Sequence, residues 1–253
     1  MRFLSLSVLL GGLLNFAAYA NTNNTDSGLL TRNLNLGNES YTYQIYVPAK
    51  LKGQKNLPVL MMLHGIGQRG TGGFVPANGP TGTIARQFLE QVPGIVLLPQ
   101  CRPNRFWHNP DMESMLLAEL DQTVKEFGAD TKRLYLAGVS MGGFGLWHLA
   151  SEHPGKFAAL VSVCGGSPIM TGDRFTPIAK KVRQTPAWVF HGSNDPIVPV
   201  SESRQMVQAL KRIEGNQVRY SEYEGVGHNV WLKAMSEPEL LSWIFSQQLS
   251  TTK

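Results

Sequence analysis

The sequence predicts an open, mostly parallel, doubly wound α/β sheet in a single domain. Three observations carry that expectation. The apolar runs LPVLMMLHG (57–65), GIVLLPQ (94–100), RLYLAGVS (133–140), FAALVSVCGG (157–166) and PAWVFHGSND (186–195) are nearly continuous, as strands buried on both faces are. Segments of helical periodicity lie between them, and strand–helix alternation is the mark of a sheet covered on both sides. Residues able to do chemistry, namely His64, Cys101, Ser140, Asp195 and His228, follow apolar runs, at the carboxyl ends of strands where such sheets bind ligands.

From the N-terminus, residues 1–20 read as a cleavable signal peptide. Arg2 is the positive start, FLSLSVLLGGLLNFAA the apolar core, and Ala18-Tyr19-Ala20 a small-x-small site before Asn21. Gly11, Gly12 and Asn15 interrupt a run already short for a bilayer, so no stable membrane anchor is expected and the mature chain is expected in the periplasm or outside the cell. Residues 21–39 read as a flexible polar segment and 40–250 as the folded domain. YTYQIYVPA (41–49) alternates and reads as an early antiparallel strand. In NPDMESMLLAELDQTVKEFG (109–128), Leu116, Leu120, Val124 and Phe127 recur at helical spacing, with Asn109-Pro110 to start the helix and Gly128 to stop it. ESRQMVQALKRIEG (202–215) and EPELLSWIFSQQL (237–249) are further helices, and VRYSEYEGVGH (218–228) a more polar strand suited to an edge. Between Ser167 and Thr185 the helix FTPIAKKVRQ uses most of the chain that a crossover needs, so no large lid is expected.

Composition narrows the functional classes. A chain of 253 residues with 42% hydrophobic content suits one sizeable domain. The net charge of +5 is scattered rather than gathered into a patch, which argues against a nucleic-acid partner. There is no C-x-x-C, no H-E-x-x-H and no metal-ligand cluster, so neither a metal nor another cofactor is expected.

The stretch YLAGVSMGGFG places Gly138, Gly142, Gly143 and Gly145 around Ser140, between an expected strand and the helix MGGFGLWHLASEH. Glycine weakens both kinds of element. A sharp strand-to-helix turn explains it: the serine hydroxyl stands above the sheet while the glycines remove side chains that would collide. The same pattern also suits an anion-binding turn. A nucleophile needs a base, and the base an orienting acid. Asp195 and His228 lie past later strands, in the order Ser…Asp…His of this arrangement; alone, each also reads as an ordinary turn aspartate or loop histidine. The backbone N–H of Met141 faces the same space, and that of Ile66, after His64-Gly65, is the candidate second oxyanion donor. His64 is expected to fix its loop by hydrogen bonds, and His191 to be a satisfied core histidine. Trp107, in RPNRFWHNP after the fourth strand, has two readings: a ring stacking on substrate, or one wedged under its loop. Trp231 is expected to pack the His228 loop, and His148 and His153 to be structural.

Together LHGIGQRG, LLPQC, GVSMGGFG, HGSNDPIVPV and GVGHNVW resemble the α/β-hydrolase superfamily, over roughly residues 40 to 248. The branch it most resembles holds secreted esterases similar to phospholipase/carboxylesterase, polyhydroxybutyrate-depolymerase-like and feruloyl-esterase-like enzymes. The resemblance implies Ser140 as nucleophile, Asp195 as acid, His228 as base, Ile66 and Met141 as oxyanion donors, and no cofactor. It implies a serine hydrolase acting on a small or oligomeric carboxylic ester of a short or aromatic acid. A peptidase of the same fold and a non-catalytic binding module remain the alternatives. In that fold two strands separate those leading to Cys101 and Cys164, roughly 14 Å against the under-7 Å Cα spacing of a disulfide, so no bridge is expected. The oligomeric state is left open.

Overall fold

A computed structural model describes residues 27–73 and 80–250. Eight strands form one sheet: β1 (Gly28–Leu36), β2 (Glu39–Val47), β3 (Val59–Leu63), β4 (Ile95–Leu98), β5 (Leu134–Val139), β6 (Ala159–Val163), β7 (Ala187–Gly192) and β8 (Val218–Tyr223). Their order is β1-β2-β4-β3-β5-β6-β7-β8. β1 and β2 pair antiparallel, as do β2 and β4; from β4 onward all neighbours are parallel. The helices are α1 (Pro80–Gln91), α2 (Pro110–Phe127), α3 (Met141–Glu152), α4 (Thr176–Lys181), α5 (Ser201–Lys211), α6 (Trp231–Met235) and α7 (Leu240–Phe245).

The near-continuous apolar runs are explained by two cores. Val59, Met61 and Leu63 of β3 and Leu134 and Leu136 of β5 face α2, α3, α4 and α5. Leu60 of β3, Tyr135 of β5 and Val161 of β6 face α1, α6 and α7. Successive side chains point to opposite faces of a strand, so a strand covered on both sides is apolar at every position. The outer strand β8 has no fully buried residue, in keeping with its polar sequence.

Two expectations are corrected. Residues 28–36 are not a flexible segment: they form β1, paired along its length with β2, and Leu30 and Leu34 bury against the first core. Helix α1 was not expected at all, because its opening Pro-Thr-Gly-Thr carries no apolar period. Helix α2 keeps the expected ends, with Asn109 as N-cap and Gly128 at φ 58° as C-cap. The signal-peptide reading of residues 1–20 lies outside the described residues. Among the described residues no helix is long and apolar enough to cross a membrane.

The connection from β6 to β7 carries only the six-residue α4. Its first half is pinned: Arg174 donates through Nη1 to Glu202 Oε1 (2.7 Å), through Nη2 to Glu202 Oε2 (3.0 Å) and through Nε to the Ile169 carbonyl (2.8 Å). Cys101 and Cys164, after β4 and β6, are free and buried, with β3 and β5 between those strands.

Candidate active site

Ser140 stands in the turn between β5 and α3, with φ 54° and ψ −117°. An L-residue reaches that backbone conformation only under strain, of order 1–3 kcal/mol. The strain is imposed by contact. A Cβ on Gly138 would lie 2.1 Å from the Gly142 carbonyl oxygen, and one on Gly142 would lie 2.0 Å from the Leu63 carbonyl oxygen. No side chain fits either place, so the glycines let α3 start directly over the sheet. The turn is closed by Ser140 N–H donating to Val163 O (2.9 Å) and Gly143 N–H to Ser140 O (2.7 Å).

Ser140, Asp195 and His228 come together as the sequence predicts. His228 Nε2 lies 2.9 Å from Ser140 Oγ, and His228 Nδ1 lies 2.7 Å from Asp195 Oδ2. The Asp195 side chain is closed to solvent, while that of His228 is 28% exposed. Burial alone would raise the Asp195 pKa. Hydrogen bonds from His228 and from the backbone N–H groups of Val198 (3.0 Å) and Ile197 (2.8 Å) outweigh it and hold the carboxyl below its ordinary value. Asp195 is therefore an anion whose partner is the imidazole Nδ1–H. That leaves Nε2 free to accept the serine proton.

Ile66 opens a 3₁₀ turn with Gly65 before it, and Met141 opens α3. The N–H of a first helical residue has no intrahelical acceptor. Gly65 lies against Ser140, within ordinary contact distance of its Cβ for any added side chain. The expected donors thus belong to the first residues of two helical turns, one directly following Ser140 and the other directly following Gly65.

His64 holds the Ile66 loop, as expected. Its Nε2 accepts the Cys101 N–H (3.1 Å), so Nδ1 carries the proton that reaches Gly65 O (2.7 Å). Burial pushes its pKa down to about 4, the opposing backbone bond notwithstanding, so this neutral tautomer persists at neutral pH.

Trp107 settles on the second of its two readings and is corrected as a substrate contact. It is 1% exposed. Its indole N–H donates to His64 O at 3.0 Å, and its Cβ occupies the space where a Cβ on Gly145 would sit. A tryptophan that fills the gap between α3 and the β3 loop has no face left for a ligand. Trp231 packs against the second core, which includes Val230 of the His228 loop, and it also lines the cavity beside Ser140. His148 and His153 are structural as expected, sharing Glu113 at 2.8 Å each.

His191 is the satisfied core histidine that the sequence predicts, and it stands behind Asp195, a place that the sequence does not predict. His191 Nε2–H donates to Val198 O (3.0 Å) and comes within 3.3 Å of Asp195 Oδ2, while its Nδ1 accepts from Ser203 Oγ (2.6 Å). The available signal was its spacing of four residues from Asp195, at the end of a buried strand with a turn between.

A cavity of about 670 Å³ opens at Ser140 and His228. Met62, Phe88, Leu89, Val139, Trp231 and Met235 form its apolar wall. Among the described residues, the set with metal-ligand spacing is Cys164, Asp195 and His228. Its atoms are already engaged: both Asp195 oxygens accept N–H bonds, and the Cys164 thiol donates to the His228 carbonyl and is pushed up to about 12 by burial. The set reads as part of the serine site.

A family profile described as Phospholipase/Carboxylesterase matches residues 110–239, just over half the chain and the part that holds Ser140, Met141, Asp195 and His228. The chain belongs to the phospholipase/carboxylesterase family. A crystal structure of a thermostable esterase superposes with a TM-score of 0.74 at 32% identity, covering 87% of this chain and 63% of that one. A bifunctional acetylxylan esterase/xylanase of Neocallimastix patriciarum is 29% identical over 61% of this chain and 21% of its own length. The acyl-protein thioesterase 1 of Gibberella zeae is 28% identical over 52% of this chain and 58% of its own. The matched region therefore spans less than two thirds of either relative. The feruloyl esterase module of Clostridium thermocellum, in complex with sinapinate, shares the fold at a TM-score of 0.68 and 12% identity.

Proposed function

We propose that this protein is a carboxylic ester hydrolase, that it acts by acyl transfer to Ser140, and that its substrates are esters of short or aromatic acids. The unbroken hydrogen-bonded line Ser140–His228–Asp195, at the mouth of an apolar cavity, carries this reading. His228 Nε2 takes the Ser140 proton as Oγ attacks the ester carbonyl. The tetrahedral oxyanion forms opposite the N–H groups of Ile66 and Met141, whose fixed dipoles need no reorganisation. Asp195, ionised, orients the ring and stabilises the imidazolium. The imidazolium then protonates the leaving alcohol, and water admitted to the site hydrolyses the acyl-enzyme by the same steps in reverse.

Substrate size follows from the cavity. A wall of apolar side chains rewards an acyl chain or ring that lies within it, and apolar surface left outside adds nothing to transition-state binding. The relative described as an acetylxylan esterase/xylanase and the feruloyl-esterase neighbour are consistent with such acids. Ser140→Ala is expected to lower kcat on a soluble butyrate ester by on the order of 10³ or more and to abolish labelling by a fluorophosphonate. A folded variant keeping a tenth of the activity would refute Ser140 as nucleophile. A matched amide turned over as fast as the ester would favour a peptidase.

A further inference from the structure

Three arginines stand at the corner where the β3 and β4 loops meet. Two have carboxylate partners: Arg102 Nη1 reaches Glu39 Oε2 at 2.5 Å and Arg105 Nε reaches Asp111 Oδ2 at 2.9 Å. The third, Arg69, has none among the described residues. Its Nη1–H donates to the Arg105 carbonyl at 3.2 Å, and its Cζ lies 5.6 Å from the Phe106 ring centroid. A guanidinium has five N–H donors, so most remain unused. Arg69 is half-buried and lines the cavity that also holds Ser140.

No Asp or Glu of the described residues lines that cavity, and residues 70–85 contain none. Arg69 is thus the one permanently charged group on the described wall, on a surface otherwise apolar or neutral. Its field reaches inward, since it contributes to holding His64 neutral. A cation kept half-desolvated without a counter-charge is costly unless something else supplies the anion, and its planar fork suits a carboxylate.

We propose that Arg69 forms a subsite for an anionic group on the substrate, so that the preferred esters carry a carboxylate remote from the scissile bond. The proposal rests on Ser140 being the nucleophile of the same cavity. A neutral, apolar stretch of substrate would lie along the wall between Ser140 and Arg69, with the carboxylate on the guanidinium.

The test uses two pairs of esters that differ only in charge. The free acid and methyl ester of 4-nitrophenyl adipate put the charge on the acyl side. 3-Carboxyphenyl butyrate and its methyl ester put it on the alcohol side. The readout is the ratio of kcat/KM for the anionic over the neutral member, in which general effects on folding or catalysis cancel. Arg69→Met is expected to lower that ratio on the order of tenfold in one pair, which identifies the side that faces Arg69. Arg69→Lys should recover part of the ratio, since it keeps the charge without the fork, and added salt should shrink the wild-type ratio. Equal ratios in wild type and Arg69→Met for both pairs overturn the proposal. The serine mechanism is judged separately: turnover of the neutral esters by wild type and its loss in Ser140→Ala leave that reading standing whatever the ratios do.

Discussion

Asp195 and Glu119 are both carboxyls shut away from solvent, and the protein treats them in opposite ways. Asp195 sits in the turn after β7 at the carboxyl edge of the sheet, where Ile197, Val198 and His228 aim N–H groups at it. Glu119 sits on the buried side of α2, and among the described residues neither of its oxygens meets a hydrogen-bond partner. The first is held ionised. Burial pushes the second well above the usual carboxylate range, so that it stays protonated. Burial alone does not decide the charge of a buried acid; the donors that the loop geometry supplies do. Loops at the strand ends can turn N–H groups inward, whereas the interior of a helix has already used its own.

The largest expected effect tests the ionised side. Asp195→Asn keeps shape and most bonds but removes the charge and favours the wrong imidazole tautomer, so kcat on a soluble ester should fall by on the order of 10³–10⁴. A fall of less than tenfold would mean that Asp195 does not orient His228.

The next tests the neutral side and concerns stability. The folded pKa of Glu119 is raised above its unfolded value. Its contribution is therefore fully present below about pH 4.3 and is lost as pH rises toward the folded value, because only the unfolded chain gives up the proton. Glu119→Gln cannot ionise and escapes that loss. Denaturant unfolding should show the variant gaining on wild type as pH rises from 4.5 to 7. A difference that stays flat across this range would show Glu119 to be solvated.

The smallest sharpens the donor argument. His191→Phe removes the imidazole behind Asp195. It should cost about tenfold in kcat and, by leaving Asp195 a stronger acceptor for His228, move the acid limb of the kcat/KM–pH profile to higher pH. An unmoved limb would make His191 packing alone.

The same contrast marks where the sequence could be read. Strands with both faces covered announce themselves, as β3, β5 and β7 do, because every position must be apolar. The meeting of Ser140, Asp195 and His228 was legible for a related reason: each follows such a run, and the glycines around Ser140 are poor choices for the interior of either a strand or a helix. β1 was not legible, since a strand with one buried face and only Leu30 and Leu34 anchoring it looks like polar chain. Trp107 could not be decided because its neighbours come from α3 and the β3 loop, far along the chain. His191 was legible as a satisfied core histidine, but its place behind Asp195 was not, and Arg69 was missed, because what distinguishes both is the presence or absence of particular partners, which only the folded arrangement supplies.

Ser140 itself sets fold and chemistry against each other. At φ 54° and ψ −117°, glycine would sit without penalty, and that single change would relieve the backbone while deleting the hydroxyl. Position 140 is thus one where drift toward a sturdier protein runs toward an inert one. In a lineage released from selection for turnover, this residue is among the first expected to be replaced.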